Sequence, residues 1–218
     1  MNLVFPPLYA IIDAALLKTS ELSFVEMMAE SGVELLQYRN KRASSRELFE
    51  ASRSISATFS RLVKPGSYKP RFIVNDRADI ARLANAQGVH VGQQDLNVEE
   101  ARAIVGPDSL VGVSTHSLEQ LDAADKTSAD YIAFGPIFPT SSKENPDPVV
   151  GLHLLREARQ HTQKPIVAIG GITLERAAEV FRAGADSLAV ARDLIVSENP
   201  AARAQLFLKE AARARGEN

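Results

Sequence analysis

Eight short apolar runs, each followed by a stretch of helical periodicity, constrain this chain more than any other feature. The runs are Leu8–Asp13, Val33–Arg39, Arg71–Asp76, Gly88–Gly92, Ser109–Thr115, Asp130–Gly135, Pro165–Gly171 and Asp186–Arg192. Segments such as Phe72-Ile73-Val74, Tyr131-Ile132-Ala133-Phe134 and Ile166-Val167-Ala168-Ile169 are continuously apolar, as strands buried on both faces are. Alternating strands and helices argue for parallel strands joined by crossover helices. Eight such units predict an α/β chain closed into a (β/α)8 TIM barrel, with its active site at the carboxyl ends of the strands. Nearly every unusual polar cluster falls just past one of these runs, so the reactive groups are expected along one rim.

The 218 residues suit a single barrel domain over 1–218. With 45% hydrophobic and 24% charged residues and a net charge of −2, the chain carries no global basic field for nucleic acid or membrane. The Arg- and Ala-rich tail from Ala201 to Arg215 reads as a last surface helix with solvated charges. The apolar stretch Leu8–Leu17 is broken by Asp13, lacks a basic leader and is too short to span a bilayer. Cysteine is absent, which removes disulfides, thiolate ligands and a cysteine nucleophile and fits a reducing compartment. These features lead to the expectation of a cytoplasmic protein.

Helix signals sit between the runs. Ser44-Ser45-Arg46-Glu47 marks a capped start to a helix running toward Arg61, and Thr173 opens another that stops before Gly184. Two connections are longer: Lys64–Pro70, which precedes a strand and belongs to the stability face, and Pro136–Val150, which follows one and belongs to the active face.

Gln37, Arg39 and Lys41 recur at period two across the end of the second run, which turns all three to one side and Tyr38 to the other. That side is either the rim or a solvated strand end. Asn75-Asp76 closes the third run and Asp95 lies just beyond the fourth. Two carboxylates on adjacent strand ends suit a hard cation such as Mg²⁺, and either one equally suits a helix N-cap. After the sixth run, Thr140, Ser141, Ser142 and Lys143 set three hydroxyls and a cation in four positions, a phosphate cradle or a polar lid. Gly170-Gly171 follows the seventh run and Ala191-Arg192 ends the eighth, where barrels often hold phosphate on backbone amides. Ser114, Thr115 and His116 follow the fifth run, with a hydroxyl for substrate and an imidazole able to move protons near neutral pH. His90 within a strand, and His153 and His161 in helical stretches, read as surface or satisfied core positions.

Taken together, Gln37-Tyr38-Arg39-Asn40-Lys41, Val74-Asn75-Asp76, the stretch from Gly88 to Asp95, Gly112 to His116, Gly135 to Lys143 and Ile169 to Ile172 resemble the thiamine-phosphate synthase family, in order from about Leu8 to about Leu194. The resemblance implies a (β/α)8 transferase that joins hydroxymethylpyrimidine diphosphate to a thiazole phosphate, releasing pyrophosphate, with Mg²⁺ as its metal. By motif, Gln37, Tyr38, Arg39, Asn40, Lys41 and Lys143 correspond to the pyrimidine diphosphate site, with Asn75 and Ser114 contacting the same substrate. Asp76 and Asp95 correspond to the Mg²⁺ ligands. Thr140, Ser141, Ser142, Gly171 and the Ala191-Arg192 backbone correspond to the thiazole phosphate site. Arg39, Lys41, Ser114 and Lys143 are the expected catalytic groups. The chain departs from the family at Tyr38, commonly aliphatic, at Ser142, commonly Thr, and at Arg192, commonly Ser. A related thiazole tautomerase, using an acid/base pair that includes His116, and a non-catalytic phosphate-binding barrel are the competing readings.

Overall fold

The computed structural model describes residues 5–62, 70–140 and 147–216. Its strands are β1 (Leu8–Asp13), β2 (Leu35–Arg39), β3 (Arg71–Asn75), β4 (Gly88–Val91), β5 (Leu110–Thr115), β6 (Tyr131–Phe134), β7 (Ile166–Ile169) and β8 (Ser187–Val190). The helices are α1 (Glu21–Glu30), α2 (Ser45–Leu62), α3 (Ala78–Leu83), α4 (Val98–Val105), α5 (Leu118–Asp125), α6 (Gly151–His161), α7 (Leu174–Arg182), α8 (Arg192–Ile195) and α9 (Pro200–Arg215). The strands pair in parallel, each with the next in sequence, and β8 pairs back to β1, so the sheet closes into the expected (β/α)8 barrel. Closure leaves no free strand edge, so each strand's backbone groups can find partners on both sides.

Alternation divides the strand residues between two cores. Leu8, Ala10 and Ile12 of β1 and Leu36 and Tyr38 of β2 pack outward against the helices. Tyr9, Ile11, Leu35, Ile73, Leu110, Tyr131, Ala133, Val167 and Ala189 fill the barrel interior, with Phe5 packed against the Tyr131 ring at 5.0 Å between centroids. The interior holds large rings only because its glycines give way. A Cβ on Gly112 would lie 2.0 Å from the Tyr131 ring, and one on Gly88 would lie 2.3 Å from the Leu110 carbonyl oxygen.

The Ser44 signal is a true capping box. Ser44 Oγ accepts from the Glu47 amide at 3.3 Å and Glu47 Oε2 accepts from the Ser44 amide at 2.8 Å. Thr173 starts α7 without capping it; the Leu174 amide donates instead to Asp193 Oδ2 at 3.1 Å, a partner supplied by the following βα unit. The tail helix α9 is less superficial than its composition suggests, because Ala204, Phe207 and Ala211 are buried in the outer core. Of the two longer connections, residues 64–69 lie outside the described residues. Among the described residues no helix is long and apolar enough to cross a membrane.

Candidate active site

A cavity of about 400 Å³ opens at the carboxyl ends of the strands. Tyr9, Ile11 and Asp13 from β1, Gln37 and Arg39 from β2, Asn75 from β3, His90 from β4 and Ser114 from β5 form one side of it. Gly170, Gly171, Thr173, Ala191 and Arg192, past β7 and β8, form the other. These residues share a period-two register because successive inward positions climb each strand toward the rim.

Gln37 and Arg39 face the cavity as their spacing requires. Arg39 Nη1 lies 2.6 Å from Asp13 Oδ2, and this pairing follows from the β1–β2 register, in which Asp13 stands opposite Arg39. Asp13 is only 4% exposed and also accepts from the Ala15 amide, so the carboxylate is buried with both oxygens engaged. It holds the guanidinium at the cavity wall. Sequence reading treats Asp13 only as a charge interrupting an apolar stretch, and its importance becomes visible only with the strand register.

Tyr38 and Asn40 lie off the cavity wall. The Tyr38 ring is buried in the outer core, its hydroxyl donates to Glu21 Oε1 at 3.3 Å, and it accepts from Asn40 Nδ2 at 3.2 Å. Burial is the main influence raising the Tyr38 phenol pKa. Asn40 Oδ1 accepts from the amides of Arg42 and Ala43, which shapes the turn into α2.

Beside the cavity, Lys41 Nζ sits 2.6 Å from Asp76 Oδ2. Asp76 has φ +64°, the left-handed conformation that Asp tolerates better than most residues, and its amide donates to the His90 carbonyl at 2.8 Å. Burial raises the Asp95 carboxyl pKa, the Gly92 amide at 2.8 Å pulls it back, and the adjacent Asp76 carboxylate raises it again. The two carboxylates are thus close enough to oppose each other's ionisation. Neither caps a helix: α4 is capped by Asn97 in a capping box with Glu100, and α3 begins at Arg77 without a side-chain cap. Among the described residues, no three His, Cys, Asp or Glu side chains cluster as a metal cage. A two-carboxylate oxygen pair fits Mg²⁺, which keeps several waters and takes substrate phosphate oxygens as its other ligands.

On the far side, backbone contacts are tight. Ile137 and Phe138 amides donate to the Ile169 and Gly170 carbonyls at 2.8 and 3.0 Å, and Arg176 lies 4.4 Å from the Phe138 ring centroid. A Cβ on Gly171, at φ +63°, would meet the Pro139 carbonyl oxygen at 2.6 Å. This fastens the root of the β6–α6 connection to the end of β7. Thr140 lines the cavity; Ser141, Ser142 and Lys143 lie outside the described residues.

Arg192 also lines this side, and both acids that could have taken its charge are engaged elsewhere. Asp193 pairs with Arg203 at 2.9 Å and Asp186 with Arg159 at 2.7 Å. Among the described residues the Arg192 guanidinium makes no ion pair.

His116 Nδ1 lies 2.6 Å from the Gly135 carbonyl and its Nε2 3.4 Å from Asp147, joining the β5 end to the β6–α6 connection. His90, read from the sequence as a surface or satisfied core position, is inside the barrel with both ring nitrogens in contact, and it also lines the cavity: Nδ1 meets Tyr131 Oη at 3.1 Å and Nε2 meets Ser114 Oγ at 2.8 Å. The signal that could have found it is the inward period Gly88, His90, Gly92 along the fourth run.

Comparison with known proteins gives a consistent result. Residues 8–194 match the family model described as thiamine monophosphate synthase. A thiamine-phosphate synthase of Koribacter versatilis is 49% identical, with 95% of this chain and 97% of that protein covered. One from Shouchella clausii is 41% identical over 84% of this chain and 87% of that protein. Among solved structures, a thiamine phosphate pyrophosphorylase from Pyrococcus furiosus superposes with a TM-score of 0.83 at 33% identity, covering 95% of this chain and 96% of the other.

Proposed function

The chain belongs to the thiamine monophosphate synthase family and is a transferase of thiamine biosynthesis, and from that premise we propose the substrates, metal and residues that carry its reaction. It joins 4-amino-5-hydroxymethyl-2-methylpyrimidine diphosphate to a thiazole phosphate and releases pyrophosphate, as one catalytic (β/α)8 domain in the cytoplasm. The observation that carries this reading is the pairing of two anion-ready poles across one cavity. Arg39, with Lys41 and the Asp76–Asp95 pair beside it, forms the first. Gly171 and Arg192 form the second. Two phosphate-bearing substrates that react with each other need such an arrangement.

In this reading Gln37, Asn75 and Ser114 hold the pyrimidine, and Arg39, Lys41 and Lys143 hold its diphosphate. Asp76 and Asp95 hold Mg²⁺, which when bound neutralises charge building on the departing diphosphate. Arg39, Lys41 and Lys143 act on the same charge, so their effect grows as the carbon–oxygen bond breaks. The thiazole nitrogen then bonds to the exposed methylene carbon without a protein nucleophile. Thr140, Ser141, Ser142, Gly171, Ala191 and Arg192 keep the thiazole phosphate in line for that attack. The test is pyrophosphate release with both substrates present. Release should require both and fall when Mg²⁺ is withdrawn. Equal release without the thiazole phosphate would show a diphosphate hydrolase instead.

Arg192 gives a separate expectation. Arg192→Ser should raise KM for the thiazole phosphate about tenfold, the loss of a charge-assisted contact worth roughly 1.4 kcal/mol, and leave KM for the pyrimidine diphosphate nearly unchanged. Steady-state kinetics with each substrate varied in turn checks this. An equal shift in both constants would mean that the two substrates are assigned to the wrong sides.

A further inference from the structure

Along the cavity wall and the barrel interior beneath it, hydrogen bonds run without a break through five side chains of five strands. Gln37 Nε2 donates to Tyr9 Oη at 2.7 Å; Tyr9 Oη and Tyr131 Oη are 2.9 Å apart; Tyr131 Oη meets His90 Nδ1 at 3.1 Å; and His90 Nε2 meets Ser114 Oγ at 2.8 Å. The Tyr131 ring stacks on the His90 imidazole at 5.6 Å and stands edge-on to the Tyr9 ring at 5.9 Å, so packing fixes the links as well as the bonds. Burial keeps both phenols protonated, with their pKa values pushed up.

Proton counting gives this chain a direction. Tyr9 accepts from Gln37, so its single proton must go to Tyr131; Tyr131 then donates to His90 Nδ1, and the neutral imidazole donates from Nε2 to Ser114. The opposite order, with Gln37 oriented as it is, leaves the buried Tyr9 proton without an acceptor among the described residues. At one end the Gln37 carbonyl oxygen is left as an acceptor. At the other the Ser114 proton is left as a donor. Neither end can reverse unless every link does.

We propose that Tyr9, Tyr131 and His90 are positioning residues that lock the donor/acceptor pattern of Gln37 and Ser114 together, and so make the site select an aminopyrimidine over its oxo counterpart. This rests on the assignment of Gln37 and Ser114 to the pyrimidine. An aminopyrimidine offers an amino donor and a ring-nitrogen acceptor, which match an acceptor at Gln37 and a donor at Ser114. Replacing the amino group by oxygen makes the exocyclic atom an acceptor and puts hydrogen on a neighbouring ring nitrogen, a pattern opposed at both ends at once. A site whose buried polar groups are left unmatched discriminates far more strongly than one that only measures shape.

Tyr131 is the residue to test, because its hydroxyl joins the two halves and it is not among the side chains lining the cavity. Tyr131→Phe should raise KM for the pyrimidine diphosphate by about tenfold or more and leave KM for the thiazole phosphate within about twofold. Its preference for the 4-amino over the 4-oxo pyrimidine diphosphate should fall by about tenfold or more, because the two ends now orient independently. Tyr9→Phe cuts the adjacent link and should relax the same preference. The double variant should lose little beyond either single one, since both cut one wire. General damage to the barrel would instead weaken both pyrimidines alike. A preference unchanged in both single variants, or additive losses in the double, overturns the proposal. A wild-type protein that turns over neither pyrimidine overturns the substrate reading on which it rests.

Discussion

Asp95→Asn is expected to lower kcat/KM at limiting Mg²⁺ by at least about a hundredfold, close to 2.7 kcal/mol of transition-state stabilisation, while the barrel stays folded. Burial and the neighbouring Asp76 carboxylate raise the Asp95 pKa, so without a cation its charge is costlier in the folded than in the unfolded chain. Neutralising it therefore should leave the thermal midpoint unchanged or slightly higher. The sign separates a ligand from a structural acid, whose loss would cost stability. Asp76→Asn should give a similar kinetic loss; Asn tolerates the left-handed backbone at this position, and the half-exposed Lys41 loses a pair worth little to folding. Wild-type rates in either variant at limiting Mg²⁺ would remove that residue from the metal site.

Arg39→Ala should be costly in two separable ways. The guanidinium leaves the cavity wall, and kcat/KM should drop by about a hundredfold or more as the diphosphate loses its charge-assisted contact. Its removal also strands Asp13 as a buried, uncompensated carboxylate, which should cost about 3 kcal/mol of folding stability in urea unfolding. Adding Asp13→Asn to Arg39→Ala should recover most of the stability and none of the activity. Recovery of activity in the double variant would show that Arg39 acts only by neutralising Asp13 and never meets substrate.

The barrel was legible because each buried strand is a short apolar run that stops where polar rim residues begin. Most observed strands are shorter than the runs that mark them; Val33, Glu34 and Gly92, for example, lie just outside the strands. Local chemistry set the start of α2, where Ser44 and Glu47 are near in sequence. It did not set the start of α7, where a carboxylate from the next unit displaces Thr173. The same division holds in the site. Inward periodicity is enough to put Gln37 and Arg39 on the cavity wall. Asp13 and His90 are different, because each matters through a partner on another strand, Arg39 for the first and Tyr131 and Ser114 for the second. The surroundings of Arg192 are likewise tertiary, since Arg203 and Arg159 occupy the nearby acids Asp193 and Asp186.

The space that Gly112 yields to the Tyr131 ring imposes an order on how this interior can drift. Reducing Tyr131 to a smaller side chain leaves Gly112 as compatible as before, at the cost of a void. Enlarging Gly112 first puts a methyl group 2.0 Å from an aromatic carbon that has no room to retreat. Lineages descending from a barrel of this kind can therefore abandon the tyrosine and later fill the glycine, but not take those steps in reverse. A relative with a side chain at position 112 should already lack a large ring at 131, and the pair forms a historical ratchet inside an otherwise permissive fold.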